Sequence, residues 1–327
     1  NSAPSRARPP RRGPPPRAPG RAGRRALGAG RAPRAMAREL VHRADQKLKG
    51  GFLACLAGSR RYEEASELYE QAANQFKISR DWQEAANCFS QCAHCASVMG
   101  SNSDEAKYFE EAGGMLKKIS TAQAVEQYEK AIGIHSACGS FQRSGKLLMS
   151  VAELYEAENL QDTKVKEYYK RAAEMFELDE HGKSNLSKCM QKVALYAARD
   201  GDLDEAIKIF ENEGEKATQN SMLQYGAKEH FLNAGILHLV GGDSVTVNIA
   251  LERYRGLDPR FESSREGLLL SSLAEALEGQ DTDLFVEKLS EYDGVTKLDP
   301  WRTQFLLKVK EHFTSTTANT VDSVDLS

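Results

Sequence analysis

Nowhere in the 327 residues do about 18 apolar side chains run together, so no segment qualifies as a transmembrane helix and any membrane contact has to be peripheral. Proline is missing from Leu40 to Leu257, which leaves room for uninterrupted helices. A Gly-rich phosphate loop, a His-Glu-x-x-His pair, a nucleophile elbow and a zinc ribbon are all absent, and the seven histidines stand singly. These absences argue against an enzyme and imply no cofactor. The neighbouring acids Glu153 and Glu156, or Glu63 and Glu64, read as solvated faces of Glu-rich helices rather than paired catalytic carboxylates.

Cysteine is sparse, at six residues, and no secretory signal accompanies it, which points to reduced thiols in a cytoplasmic setting. Cys88, Cys92 and Cys95 fall on one helical face beside His94. A structural zinc site closes around four ligands, whereas buried thiols pack as small apolar groups, and the second reading is preferred here.

Charge is unevenly spread. Residues 1–35 hold ten Arg and no acid, leaving 34 basic against 47 acidic side chains in the rest. An acidic body disfavours nucleic acid, whose binding rests on Lys and Arg displacing counterions. The leader also carries eight of the ten prolines and almost no bulky apolar residue, so it reads as disordered. The chain opens on Asn1 and its first Met is Met36, so the leader is expected to be dispensable or a translated upstream segment.

From Tyr62 onward a small–aromatic–small pattern recurs at helical spacing. Its copies are Ala65-Tyr69-Ala72-Phe76, Ala85-Phe89-Cys92, Ala106-Phe109-Ala112, Ala124-Tyr128-Ala131, Val165-Tyr169-Ala172 and the start of another at Ala206-Phe210. Small residues let helices approach, and the aromatic four residues on, three in the slightly shortened copy at Ala106, fills the neighbouring groove. Anchors about 20 residues apart predict antiparallel pairs of about 40 residues, in the range of tetratricopeptide-like solenoids. Turn residues lie between copies at Ser79-Arg80-Asp81, Gly100-Ser101-Asn102, Cys138-Gly139-Ser140 and Asp200-Gly201-Asp202. The expectation is an all-α chain: leader 1–35, helical-hairpin solenoid 36–201, helical bundle 202–313 and flexible polar tail 314–327.

Solenoids offer long concave surfaces, so binding is the expected function. Lys117, Lys118, Lys146, Lys188, Lys192 and Lys228 stand out near repeat ends or on successive helices of the acidic body. Spacing alone leaves open whether they form a basic strip or simply solubilise helix faces.

The stretches Asp81-Trp82-Gln83-Glu84-Ala85-Ala86-Asn87, Asp258-Pro259-Arg260-Phe261, Glu291-Tyr292-Asp293 and Lys297-Leu298-Asp299-Pro300-Trp301, with a penultimate Leu326, resemble the alpha/beta class of soluble NSF attachment proteins (SNAPs). The resemblance extends from about Leu40 to Ser327. It implies a twisted sheet of antiparallel helix hairpins capped by a helical bundle. It also implies an adaptor that lines SNARE complexes of the syntaxin type, recruits the NSF hexamer and stimulates its ATP hydrolysis to unwind them. Such an adaptor supports vesicle fusion and intracellular transport from the cytoplasmic face of membranes.

On that resemblance the six lysines are the SNARE contacts, one family Arg being replaced by Ser140. Phe52, Leu53 and Leu56, in the loop from Gly51 to Gly58, match an apolar membrane-touching loop, with one Phe where the family carries a pair and a further aromatic. Glu275 and Glu278, followed by Gly279 in place of a family acid, match ATPase-contacting positions, and Asp322, Asp325 and Leu326 stand for a denser acidic tail. A different reading of the same residues is a tetratricopeptide adaptor whose lysines clamp an acidic peptide terminus; it has no need of the bundle or of Leu326.

Overall fold

The computed structural model describes residues 31–49, 58–159 and 162–321, with side chains from 33 to 313 within those ranges. Among the described residues there is no strand. The helices run α1 (Arg31–Lys49), α2 (Arg60–Ile78), α3 (Trp82–Val98), α4 (Asn102–Leu116), α5 (Thr121–Ala137), α6 (Phe141–Glu158), α7 (Asp162–Glu177) and α8 (Lys183–Arg199). They continue with α9 (Leu203–Thr218), a 3₁₀ turn (Gln224–Gly226), α10 (Ala227–Val240), α11 (Ser244–Leu257), α12 (Arg260–Ser263), α13 (Arg265–Gly279), α14 (Thr282–Val295) and α15 (Pro300–Val321). The chain divides into two compact units, 1–131 and 132–327.

In the first unit, consecutive helices α1 to α4 pack pairwise. The repeat anchors form the seam, since Ala65, Tyr69, Ala72, Phe76, Ala85, Phe89, Cys92, Ala106 and Ala112 are all buried. Phe109 is the exception. It is half-buried, as is the adjacent Tyr108, which stacks on Phe89 with ring centroids 6.4 Å apart. The helix α1 begins at Arg31, inside the expected leader, with Pro33 in its first turn, where a missing N–H costs no intrahelical bond. Arg34 is tied to Asp81 at 3.2 Å.

Turns close by a shared device. After α2, α3, α5, α8 and α13 one residue adopts positive φ: Arg80, Gly100, Gly139, Gly201 and Gln280. Paired bonds such as Asp81 N–H to Phe76 O and Arg80 N–H to Lys77 O then satisfy the last carbonyls. Glycine removes the Cβ penalty at three of these five positions.

In the second unit, α6 to α10 pack in sequence, and α10 also meets α11, α13 and α15. Glycines set the close approaches. A Cβ at Gly145 would lie 2.7 Å from the Phe176 ring, and one at Gly214 2.5 Å from Phe231. The last helix is locked in place by Trp301, whose indole donates to Leu195 O at 3.1 Å and meets Phe210 edge-on, centroid to centroid 5.7 Å. Beside it the buried Arg302 binds Asn233 at 2.8 Å and Glu229. The helix α15 continues to Val321, over the start of what the composition marks as a tail.

Buried tyrosine anchors hand their hydroxyls to carboxylates: Tyr69 to Asp45 at 2.5 Å, Tyr169 to Glu156 at 3.0 Å and Tyr254 to Glu211 at 2.8 Å. An amphipathic ring thereby fills the core without orphaning its polar tip.

Candidate functional site

Each of the six lysines sits on a helix or helix end held by the anchor seam. In the first unit, Lys117 follows the last turn of α4 and is exposed, as is Lys118. The Lys118 ammonium lies 3.6 Å from the centroid of the Trp82 ring, a cation–π contact that fixes the side chain at the surface. In the second unit, Lys146 on α6 and Lys188 on α8 are exposed, and neither has an ion-pair partner among the described residues. Lys192 lies one turn beyond Lys188 on α8, so these two share a helix face.

Two of the six are already engaged within the fold. Lys192 donates to Glu156 at 2.8 Å. Glu156 also accepts from Tyr196 at 2.8 Å and Tyr169 at 3.0 Å. Burial pushes its pKa up, but the bonds from Lys192 and Tyr196 outweigh it and hold the carboxyl below the usual range. Lys228 on α10 donates to Oε1 of the buried Glu266 at 3.1 Å. Glu156 is therefore the centre of a part-buried network, whereas Glu153, three residues before it, is exposed. The solvated-face reading holds for Glu153 and fails for Glu156, because its partners Lys192 and Tyr196 lie 36 and 40 residues away along the chain.

Glu275 and Glu278 are exposed on α13, less than one turn apart, with no ion-pair partner among the described residues. The membrane-loop positions Phe52, Leu53 and Leu56 lie outside the described residues, as do Asp322, Asp325 and Leu326.

The cysteine triplet is packing. Cys88, Cys92 and Cys95 are buried, and burial pushes their thiols up to about 12, about 12 and about 11, while His94 is exposed. No cluster of three or more metal-ligating side chains occurs among the described residues. No helix among them is long and apolar enough to cross a membrane.

The lysine–tryptophan stack was not signalled by charge spacing. Trp82 immediately follows a turn, 36 residues before Lys118, and only the packing of successive helices brings them together.

Residues 35–314 match the family model described as soluble NSF attachment protein, SNAP. The chain is 36% identical over 276 residues to a beta-soluble NSF attachment protein of Bos taurus, covering 84% of this chain and 92% of that one. It is 35% identical over 280 residues to an alpha-soluble NSF attachment protein of Mus musculus, covering 85% and 94%. A probable vesicular-fusion protein sec17 homolog of Schizosaccharomyces pombe is 31% identical over 274 residues, covering 83% and 94%. The match runs through the anchor seam of both compact units and on to the last described side chains, so the chain belongs to the soluble NSF attachment protein family.

Proposed function

We propose that the chain is a non-catalytic adaptor that binds SNARE complexes and recruits and stimulates the ATPase NSF to disassemble them, in vesicle fusion and intracellular transport. The observation that carries this reading is the family match over residues 35–314, with about 35% identity to alpha and beta relatives across nearly their whole lengths. A generic tetratricopeptide peptide clamp does not account for a match that extends past the hairpin repeats through α13 and α14 and into α15.

Within this reading the hairpin solenoid occupies 36–201 and the bundle 202–313. The acidic, helical SNARE partner, of the syntaxin type, is met by Lys117, Lys118, Lys146, Lys188, Lys192 and Lys228. Opposite charges across such an interface steer encounter and fix register. The exposed Lys117, Lys146 and Lys188 contribute more than Lys192 and Lys228, whose ammonium groups already pair with Glu156 and Glu266. The NSF hexamer is met by Glu275, Glu278, Asp322, Asp325 and Leu326, and the apolar residues Phe52, Leu53 and Leu56 give weak peripheral attachment to a membrane from the cytoplasm. Recruitment of NSF to immobilised SNARE complexes by the purified chain tests the reading. Equal capture of NSF with and without the chain would refute it.

A further inference from the structure

The helices α13 and α14 enclose a surface pocket of about 320 Å³ at the end of α13 remote from Glu278. Its floor is Leu269 and Tyr292, both buried, and its lips are Leu268 and Val295, which are 56% and 69% exposed. Two exposed aliphatic side chains flanking a concavity forfeit burial that a partner would supply.

The rim is polar and mostly self-satisfied. Arg265 donates to Thr296 at 3.2 Å, and Lys288 lies 3.0 Å from Glu291 and 3.3 Å from Glu287. Arg265 has only that neutral Thr296 hydroxyl for a partner among the described residues, and the unpaired acids lie farther along the same helix face. Leu268, Ser272, Glu275 and Gly279 follow one another at intervals of four, three and four residues, and Glu278 adjoins that stripe. Leu268 and Glu278 are ten residues apart, about 15 Å along the axis, well within one protein–protein patch.

We infer that this face of α13 is a composite docking surface, in which the Leu268–Val295 pocket takes a protruding apolar side chain from a partner whose adjoining surface is basic and pairs with Glu275 and Glu278. Charge selects the occupant. An anionic bilayer would meet Glu275 and Glu278 with like charge, and a second copy docking through the same face could offer them only the single Arg265 of the rim. A basic protein surface gains from both ends of the stripe: screened attraction at the acids and desolvated apolar contact at the pocket. The inference rests on the proposed function, which makes that partner NSF. It adds a salt-insensitive anchor to an otherwise electrostatic contact.

The test compares Leu268→Ser/Val295→Ser and Val295→Ser alone with Glu275→Gln/Glu278→Gln and the exposed control Val245→Ser. NSF capture on SNARE complexes is measured at low and high salt, with self-association followed by light scattering. The pocket double variant should keep SNARE binding and helicity and capture NSF about tenfold more weakly, the scale of one lost apolar anchor. That factor should persist at high salt, whereas the loss in the glutamate variant should shrink, and Val295→Ser should show a smaller loss of the same kind. NSF capture by the pocket variants within about twofold of the unmodified chain would overturn the anchor. So would a loss confined to self-association. Absence of capture by the unmodified chain would instead refute the adaptor reading, and the anchor with it.

Discussion

Lys192 and Glu156 meet at 2.8 Å, and this pair divides the lysines into those that hold the fold and those free to hold a partner. Lys146 and Lys188 are exposed with no ion-pair partner among the described residues. Reversing both to Glu should weaken SNARE binding and its salt dependence together while leaving helicity unchanged, since surface substitutions seldom unfold a repeat. Lys192→Ala should weaken binding less, and should cost under about 1 kcal/mol of stability because the pair is partly exposed. Parallel titrations of SNARE complexes with each variant and urea melts check both halves. Unchanged binding of the double reversal would remove the lysines from the interface.

The same carboxylate should impose acid sensitivity. Glu156 has its pKa held below the ordinary range in the fold, chiefly by bonds from Lys192 and Tyr196 working against burial. Its contribution is therefore fully present above the unfolded carboxyl pKa of about 4.3 and is lost as pH falls through the lower folded value. Glu211, hydrogen-bonded to Tyr254 and His238, titrates in the same sense. Glu156→Gln should destabilise the chain by about 1–3 kcal/mol at pH 7 and flatten the dependence of the urea midpoint on pH below 5. A variant with the same acid slope as the unmodified chain would show that the network does not couple to protons.

Close approach of α6 and α7 depends on a missing side chain. A Cβ at Gly145 would fall 2.7 Å from the Phe176 ring, which is itself fully buried and unable to swing into solvent. Gly145→Ala should cost about 1–3 kcal/mol despite its favourable helix propensity, because the overpacking term exceeds the propensity gain of about 1 kcal/mol. Gly133→Ala, where a Cβ meets nothing within 4 Å, is the matched control and should be neutral or stabilising. Thermal melts of the two variants distinguish a steric from a propensity effect.

Much of this seam is legible in the sequence, because small and aromatic residues at helical spacing encode which face of a helix is buried. The pattern is weakest at Phe109, which is half-buried like the neighbouring Tyr108, the ring that stacks on Phe89 and bonds Glu70 at 3.2 Å. Helix ends were less legible. Arg31 to Ala35 join α1 although composition groups them with the Arg- and Pro-rich leader, and α15 runs to Val321 through Thr and Ser that composition assigns to a tail. Arg34 of α1 meets Asp81 at 3.2 Å, a contact of which local composition carries no record. The Glu156 network was invisible for the same reason: its partners are set by three helices coming together, and nothing at Glu156 itself separates it from the exposed Glu153.

Membrane attachment is assigned to Phe52, Leu53 and Leu56 on resemblance, and the assignment makes a differential prediction. Phe52→Ser/Leu56→Ser should slow disassembly of liposome-anchored SNARE complexes and spare soluble ones, since only the anchored substrate profits from adaptor held at the bilayer. Equal slowing of both would mean that the substitutions damage the adaptor itself.

The most direct test of the central claim is ATP hydrolysis by NSF, with release of individual SNARE chains followed in the same reaction, in the presence and absence of the purified chain. The chain alone should hydrolyse no ATP, and with NSF and SNARE complexes present it should stimulate hydrolysis and drive disassembly. SNARE complexes left intact, with NSF hydrolysis at its unstimulated rate despite stable binding of the chain, would contradict that claim.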